Sequence, residues 1–511
     1  MSLKKLLKLL LSRVVIVGIL ILIQVIWLFF MFVKLSRYSV VAEVCLFVIS
    51  VLVALWIVNK KDNPAYKLAW LIPILLMPLL GGLLYLALGN KNPSRGLRNK
   101  IEKAGTRLQK LVVQNPQVME ELKKDHSSVA GQSAYIQNNG FPVYKNSTAQ
   151  YFPTGEACYE VMLEELKKAK HYIFMEYFIV ADGKMWNGIL EILKQKAAEG
   201  VDVRFMYDDM GCVSLLPVHY YKQMEVWGIK CMAFNRFIPI FSLAMNNRDH
   251  RKILVIDGHT AFSGGINLAD EYINEIVRFG YWKDTAIMIR GEAVWNFTAM
   301  FLQMWNAFSP KQDVDYALYM PNVHIQNSYE DGFIQPYGDS PLDDEVVGES
   351  VYLNIINQAV RYVYIFTPYL IIDNEMMTAL CLASRRGVDV RIVTPGIPDK
   401  KMVFMLTQSY YEQLLEAGVR IFEYTPGFIH AKCFVADDCV ATVGTINLDY
   451  RSLYLHFECG VYMYRTKAVM AVKQDALDTI NESREIHLED TRTGFFKGLF
   501  RAVLRVFAPL L

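Results

Sequence analysis

Residues 249–267 read DHRKILVIDGHTAFSGGIN, and residues 429–447 read IHAKCFVADDCVATVGTIN. Both stretches carry the pattern H-x-K-x4-D-x6-G-x2-N, which starts once at His250 and once at His430. The apolar run after each lysine predicts a buried strand that ends at the aspartate. Because side chains alternate along a strand, the histidine and the lysine of each motif are expected on one face, in one pocket.

The segments around the two motifs repeat in the same order. A Gly-Val-Asp-Val-Arg pentapeptide begins at Gly200 and again at Gly387, and both copies follow a predicted strand and a predicted helix. Alternating strands and helices are typical of an α/β layer fold, and 511 residues suit two domains of ordinary size. The sequence therefore predicts two duplicated α/β/α domains, each a mixed sheet flanked by helices, related by a pseudo-twofold axis.

The residue types in the motif suit chemistry at a phosphodiester. One imidazole can attack phosphorus and a second can protonate the leaving oxygen, while lysines and asparagine amides hold the non-bridging oxygens. Each copy supplies only one histidine at the motif position, so the two halves are expected to face each other across one shared site. Histidines outside the motifs are expected to be structural; they include His171, His219, His259, His324 and His456.

Metal and disulfide chemistry are not indicated. The eight cysteines never form a C-x2-C pair and do not alternate with histidine at the spacing of zinc ligands. We therefore expect no metal, no cofactor and no disulfide scaffold.

The first 90 residues predict a membrane region. The run 14–33 has one polar member, Gln24, and is long enough to cross a hydrocarbon layer of about 30 Å. A second run, 39–58, follows after a short turn, so the pair predicts a transmembrane hairpin. Basic residues on both flanks place both ends in the cytosol, and they would also attract an anionic bilayer surface. A third segment, 68–89, is broken by prolines and glycines and is either re-entrant, interfacial or a third span.

The rest of the chain divides by composition and by the repeat. Residues 91–130 form a polar, helix-forming linker, 131–325 the first domain, and 326–490 the second. Residues 491–511 predict an amphipathic helix, in which three cations at four-residue spacing share one face. That helix is expected either to lie in the bilayer surface or to pack on the protein's own core.

The two motifs resemble the HKD motifs of the phospholipase D superfamily. A hydrophobic N-terminal hairpin ahead of two such domains is similar to the bacterial cardiolipin synthases, and the resemblance covers nearly the whole chain. Further stretches that resemble this family are 63–70, 176–178, 264–267, 281–284, 367–369, 447–452 and 457–458.

The resemblance implies a two-step exchange without a metal. One motif histidine takes the phosphatidyl group from phosphatidylglycerol as a phosphohistidine and releases glycerol, and a second phosphatidylglycerol then attacks to give cardiolipin. By analogy with the family, the nucleophile is His250. The implied catalytic residues are His250, Lys252, Asp257, His430, Lys432 and Asp437, with Asn267 and Asn447 as donors to the phosphate.

A catalytic imidazole needs a partner on its second nitrogen to fix its tautomer. The resemblance implies Glu458, eleven residues after Asn447, as this partner in the second half. The equivalent position in the first half is Arg278, so we assign Asp284 instead, which precedes a predicted strand as Glu458 does. Either acid could instead belong to an ordinary surface ion pair.

The expected partners are phosphatidylglycerol, other anionic phospholipids and the membrane, with no nucleic acid. We expect a multi-pass protein of the cell membrane with its catalytic domains on the cytoplasmic side. Alternatives within the fold are a hydrolytic phospholipase D, a phosphatidylserine synthase and a nuclease, the last disfavoured by the membrane region. A non-catalytic scaffold is disfavoured by the two complete motifs. No motif selects the acceptor, so cardiolipin as product depends on the resemblance.

Overall fold

A computed structural model of the chain describes residues 40–77, 95–236, 247–308, 315–320, 330–343 and 345–510, with isolated positions between 22 and 34 and between 81 and 89. Its strands are β1 (Tyr144–Phe152), β2 (Tyr172–Tyr177), β3 (Asp202–Asp208), β4 (Lys230–Phe234), β5 (Arg248–Asp249), β6 (Ile253–Ile256), β7 (Thr260–Gly264), β8 (Tyr281–Lys283), β9 (Ala286–Gly291), β10 (Glu330–Asp339), β11 (Tyr362–Phe366), β12 (Leu370–Ile371), β13 (Asp389–Pro395), β14 (Arg420–Tyr424), β15 (Gly427–Ile429), β16 (Cys433–Ala436), β17 (Val440–Gly444), β18 (Leu448–Asp449), β19 (His456–Tyr464) and β20 (Ser483–Ile486).

The α-helices of the described residues flank these strands. They are α1 (Val40–Val58), α2 (Pro64–Leu76), α3 (Arg95–Gln109), α4 (Pro116–Asp125), α5 (Ser127–Asn138), α6 (Gly155–Lys168), α7 (Lys184–Ala198), α8 (Tyr220–Val226), α9 (Val294–Phe308), α10 (Val347–Gln358), α11 (Asn374–Arg385), α12 (Lys401–Gln408), α13 (Tyr411–Glu416), α14 (Tyr450–Tyr454), α15 (Lys467–Asn481) and α16 (Phe495–Phe507).

The main sheet consists of two halves with the same strand order. From the centre outward, the first half runs β1-β9-β7-β6-β2-β3-β4 and the second runs β10-β19-β17-β16-β11-β13-β14. β1 and β10 pair antiparallel at the centre, where Tyr144 lies opposite Ile334. The outer strands of each half pair in parallel, and the motif strands β6 and β16 pair antiparallel with β2 and β11. The predicted duplicated, mixed α/β fold is confirmed.

The segment predicted as a polar linker belongs to the folded core. Helix α3 buries Ile101, Ala104 and Leu108, whose spacing gives one apolar stripe, in the cluster that also contains most of α9. Helices α4 and α5 contribute Leu122 and Ile136 to the core of the second half. The helix that opens the predicted first domain therefore packs on the second, because its apolar face completes that core.

The N-terminal helices lie against the catalytic part of the chain. Asn63 caps α2, accepting a hydrogen bond of 2.9 Å from the Ala65 N–H, and its amide donates to Asp373 and to Tyr454 in the second half. Helix α1 coincides with the predicted span 39–58, whereas most of the predicted span 14–33 lies outside the described residues. In the segment 68–89, the helix ends at Leu76. Within the described ranges, none of the helices combines the length and the apolar character that a membrane crossing requires.

The C-terminal helix α16 turns two of its three cations, Arg501 and Arg505, to the protein, whereas Lys497 and the aromatic side chains of Phe495 and Phe496 are exposed. Arg501 donates to Gln408 at 2.7 Å and Arg505 to the Ser409 carbonyl at 3.3 Å. Phe495 and Phe496, in contrast, are 78% and 84% exposed. The helix therefore packs on the protein, as one of the two expectations has it, and keeps an exposed apolar face; its position in the bilayer surface stays a prediction.

Candidate active site

Each motif histidine follows a short strand that is hydrogen-bonded to the opposite half of the molecule. Strand β5, which ends just before His250, pairs in parallel with β19, and the His250 N–H donates to the Phe457 carbonyl at 3.0 Å. Strand β15, which ends just before His430, pairs in parallel with β8, and the His430 N–H donates to the Lys283 carbonyl at 2.7 Å. The strand before each motif histidine is thus added to a strand of the opposite half, and this exchange brings the two motifs together.

This exchange of strands sets the partner of each imidazole. His250 Nδ1 lies 2.8 Å from Glu458 Oε1 and 3.0 Å from Oε2, while His430 Nδ1 lies 2.7 Å from Asp284 Oδ2. Both carboxyl groups are fully buried. The sequence predicts each acid beside the histidine of its own half. In the structure the pairing is crossed, because each acid directly follows the residue whose carbonyl accepts from the N–H of the opposite histidine: Glu458 follows Phe457, and Asp284 follows Lys283.

The two motif lysines lie beneath the imidazoles. Lys252 Nζ donates to the His250 carbonyl at 2.6 Å, Lys432 Nζ makes the equivalent bond to the His430 carbonyl, and both side chains are buried. Burial lowers the pKa of Lys252 to about 8 and that of Lys432 to about 7, and each group's pKa is raised in part by the buried acids. A bound phosphodiester would favour the ammonium form of both, since an opposite charge stabilises it.

The motif asparagines are buried but differ in their contacts. Asn267 accepts from the Ile179 N–H at 3.0 Å and donates to the Tyr272 hydroxyl at 2.7 Å, which leaves one amide hydrogen. Asn447 Oδ1 is buried and makes no hydrogen bond to the described residues.

The motif aspartates lie apart from the imidazoles. Asp257 and Asp437 follow β6 and β16 at the ends remote from the histidines, with left-handed φ of 49° and 54°. Each carboxylate accepts three backbone N–H groups, from residues 170–172 and 360–362 respectively, at 2.7–3.0 Å. The structure therefore does not bring these two members of the predicted catalytic set to the reacting groups; they tie the motif strand to the start of β2 or β11.

The electrostatics of the two imidazole–carboxyl pairs differ. Burial lowers the pKa of His430 to about 4 and that of His250 well below its usual range, so both imidazoles are neutral near pH 7. Burial alone would raise the pKa of Asp284, but the His430 contact and Lys432 outweigh it and the pKa is lowered. Burial raises the pKa of Glu458 to about 8. A neutral imidazole anchored through Nδ1 presents Nε2 to a substrate, which suits nucleophilic attack.

Comparison with known proteins places this geometry in a family. Residues 162–305 and 352–478 match the family described as "Cardiolipin synthase, PLD-like domain", and residues 48–90 match "Phospholipase_D-nuclease N-terminal". The cardiolipin synthase of Alkalihalophilus pseudofirmus is 34% identical over 88% of this chain and 90% of its own. The chain belongs to the cardiolipin synthase family.

Other relatives agree with that placement. The cardiolipin synthase of Halalkalibacterium halodurans is 32% identical over 93% of this chain and 94% of its own, and an uncharacterized protein of Streptococcus mutans is 48% identical over 89% and 99%. The crystal structure of phosphatidylserine synthase from Haemophilus influenzae covers 74% of this chain and 97% of its own with a TM-score of 0.55 and 15% identity, which shows a shared fold.

In this cardiolipin synthase family member, the surroundings of the two imidazoles are not equivalent. The His250 ring lies 5.0 Å from the Phe178 ring and 5.5 Å from the His456 ring. The His430 ring is enclosed by aromatic residues, with Tyr272 at 5.6 Å, Trp282 at 5.5 Å and Phe428 at 5.9 Å between ring centroids.

Phe178 and Trp282 lie in the stretches 176–178 and 281–284 that resemble the family, whereas sequence reasoning missed His456, Tyr272 and Phe428 as neighbours of the imidazoles. The sequence predicts a structural role for His456, but this residue lies two positions before Glu458, as Trp282 lies two before Asp284. Side chains two residues apart on a strand share a face. The spacing to Glu458 and to Asp284 is therefore the sequence signal that predicts His456 and Trp282 beside the imidazoles.

The residues that contact the two acids also differ. Thr445 donates its hydroxyl to Glu458, whereas the equivalent first-half residue is Gly265. A Cβ at Gly265 would lie 2.0 Å from Asp284 Oδ1. The shorter acid of this family member therefore requires glycine beneath it, and the longer one is held by a hydroxyl.

Proposed function

We propose that this protein is a cardiolipin synthase that transfers a phosphatidyl group between two phosphatidylglycerol molecules, giving cardiolipin and glycerol through a phosphohistidine. One observation carries the proposal: two buried imidazoles, each anchored through Nδ1 by a carboxyl group of the opposite half, lie with two buried lysines in one site. Membership in the cardiolipin synthase family supports the choice of substrate and acceptor.

In the first step, Nε2 of His250 attacks phosphorus. The P–N bond forms, the P–O bond to the terminal glycerol breaks, and His430 gives a proton to the leaving oxygen. The anionic phosphodiester and the Asp284 carboxylate both stabilise the imidazolium that His430 needs for this. Lys252 and Lys432 hold the non-bridging oxygens, where charge accumulates, with Asn267 and Asn447 as neutral donors.

In the second step, the primary hydroxyl of another phosphatidylglycerol replaces the glycerol. His430 takes the hydroxyl proton, the oxygen attacks phosphorus, and the P–N bond breaks to free His250. Protons balance over the two steps, and the reaction is reversible because one phosphodiester is exchanged for another. We assign Asp257 and Asp437 a supporting role, since their carboxylates hold backbone N–H groups.

We place the site at the cell membrane, with the catalytic halves on the cytoplasmic side of a multi-pass N-terminal region. The apolar runs 14–33 and 39–58 and the basic flanks support this placement. The exposed aromatic face of α16 supports it as well, because α16 packs beside α2, which exposes Leu68, Leu75 and Leu76. Phosphatidylglycerol and other anionic lipids would then reach the site from the bilayer.

A direct assay separates the proposal from its alternatives. Phosphatidylglycerol labelled in its terminal glycerol is supplied in detergent micelles with a chelator, and cardiolipin and free labelled glycerol are expected in equal amounts. Phosphatidic acid as the only lipid product would instead identify a hydrolytic phospholipase D, and a serine-dependent product a phosphatidylserine synthase. In a second measurement, phosphatidylglycerol labelled in its phosphate is mixed briefly with the protein, and the reaction is stopped without acid. The protein should then carry the label as a phosphohistidine.

Two variants assign the histidines. His250→Ala should give neither cardiolipin nor labelled protein. His430→Ala should give no cardiolipin but should retain slow labelling, because the nucleophile remains. The reverse pattern would exchange the two roles, and substantial turnover by either variant would contradict a shared site.

A further inference from the structure

A third imidazole, which the proposed exchange does not use, lies beside the His250–Glu458 pair. The His456 side chain is 11% exposed, and its Nδ1 is 3.9 Å from Glu458 Oε1. That Nδ1 is buried and makes no hydrogen bond within the described part of the chain. Strand β19 holds His456 and Glu458 on one face, two residues apart, and the same strand binds the segment that carries His250.

The three side chains together offer the donor set of a transition-metal site. One donor atom each from His250, His456 and Glu458 lies within 4.8 Å of the other two. A four-coordinate ion about 2.0–2.2 Å from each donor needs donors roughly 3.5 Å apart, so small side-chain rotations would have to draw the three atoms together around it. Two imidazoles and one carboxylate are also the protein ligands of open, three-ligand zinc sites. Among the residues that the structure describes, these three form the one histidine, cysteine and carboxylate group with this property.

The opposite half provides an internal comparison. There Trp282 occupies the position of His456, two residues before Asp284, with its ring 5.5 Å from that of His430. An indole N–H is a donor only and cannot ligate a cation. The duplication therefore supplies two imidazole–carboxyl pairs but a complete metal-ligand set at only one of them.

We propose that His456 turns the His250–Glu458 pair into an inhibitory site for Zn²⁺ or a similar divalent transition metal. The binding part of this inference stands on geometry alone, and the inhibitory part rests on the proposed function. If the ion takes Nε2 of His250, the nucleophilic lone pair is lost. If it takes Nδ1, it displaces the Glu458 hydrogen bond, and the remaining proton moves to Nε2 with the same result.

The charges around the site set its character. Arg451, Lys252 and Arg248 bring positive charge close to His456. The same cations oppose a bound metal, whereas Glu458 favours it once the ion has displaced the carboxyl proton. We therefore expect reversible binding that competes with the anionic substrate, rather than a permanently held ion.

The test is a Co²⁺ titration of the full-length protein without a histidine tag, in detergent micelles after removal of metals by a chelator. Co²⁺ in a four-coordinate nitrogen and oxygen site gives visible absorption, and the wild type should saturate at one ion per chain that Zn²⁺ displaces. His456→Asn should weaken binding by about 100-fold, at least as much as losing an outer partner of a ligand typically does. His219→Asn is the matched control, because His219 is exposed and its left-handed φ suits asparagine.

The exchange assay provides the second arm. Zn²⁺ should inhibit the wild type and the His219→Asn variant, with relief by excess phosphatidylglycerol, and should spare His456→Asn, which keeps its basal exchange. His456→Gln provides a second variant if asparagine does not fold. Absorption that His456 substitutions leave unchanged, or no saturable absorption, overturns the metal site. Saturable Co²⁺ binding without inhibition by Zn²⁺ overturns the inhibitory role. The Co²⁺ titration does not require turnover, so it still tests the metal site if the proposed exchange reaction is not found.

Discussion

His250 Nδ1 lies 2.8 Å from Glu458 Oε1 across 208 residues of sequence. Asp284 and His430 repeat the relationship in the opposite direction at 2.7 Å. The cause is topological: each histidine segment adds as a parallel strand to the strand that carries the other half's acid. Neither half therefore contains a complete imidazole–carboxyl pair, and the duplicated fold functions only as a whole.

Loss of either acid should slow the exchange without removing the nucleophile. Glu458→Gln and Asp284→Asn leave the imidazoles in place but no longer fix their tautomers, and a loss of kcat by about 100-fold or more is expected. The measurement is the rate of cardiolipin formation from labelled phosphatidylglycerol. Wild-type kcat in either variant would show that the crossed pairs do not orient the histidines.

The residues beneath the two acids, Gly265 and Thr445, predict unequal effects of alanine substitution on the exchange rate. Gly265→Ala places a Cβ against Asp284 Oδ1 and should displace that carboxylate, giving a defect similar to that of Asp284→Asn. The matched variant Thr445→Ala removes a hydroxyl that donates to Glu458 and accepts from the Cys459 N–H, but it leaves the Glu458 carboxyl group in place and should be milder. Rates for the two alanine variants, compared with unfolding temperatures to confirm folding, test the order; a milder Gly265→Ala would contradict it.

The motif aspartates should matter for stability more than for chemistry. Asparagine tolerates the left-handed φ of Asp257 and Asp437, so Asp→Asn removes the charge and keeps the backbone. Each substitution should cost about 2 kcal/mol of unfolding free energy, because charge-assisted hydrogen bonds to N–H groups are lost. Denaturant unfolding measures the cost, and kcat per folded molecule should stay near the wild-type value. A large loss of kcat with unchanged stability would return both residues to the catalytic set.

The buried lysines predict an alkaline limb in the pH profile. With pKa values of about 7 for Lys432 and about 8 for Lys252 in the free site, kcat/KM should fall as pH rises through this range, because the ammonium forms bind the phosphate. The fall in kcat should lie at higher pH, since bound phosphate stabilises the ammonium forms. Lys432→Arg stays charged and should lose the lower part of the limb. A kcat/KM that still rises at pH 9 would contradict the assignment.

The exposed face of α16 predicts a dependence on the bilayer. Phe495→Ser with Phe496→Ser should reduce exchange on phosphatidylglycerol vesicles by more than about tenfold, because each buried phenylalanine contributes about 2 kcal/mol. Exchange in detergent micelles should change little. Ala502→Ser, exposed on the same helix, is the control. Equal losses in vesicles and micelles would indicate damage to the fold rather than lost contact with lipid.

Much of the site could be predicted because the motif is local. The spacing of His250 and Lys252 puts both on one stretch of backbone, and a repeat visible in the sequence implied that the two copies share a site. Asp257 and Asp437 show the limit of that reasoning: the sequence places each at the end of its strand, but only the fold reveals that its carboxylate binds backbone N–H groups there, away from the imidazoles. Helices α3 to α5 show a second limit. The segment 91–130 is polar on average, but its helices carry apolar stripes that complete the cores of both halves.

By itself, the sequence determined the duplication, the α/β class and the identity of both motif histidines, because periodicity and spacing are properties of the chain. Only the tertiary structure decided which acid serves which imidazole, and it placed His456 beside one pair and Trp282 beside the other. Those choices depend on parallel pairing between strands 146 and 208 residues apart in the chain, whose register is fixed by hydrogen bonds and packing across the two halves.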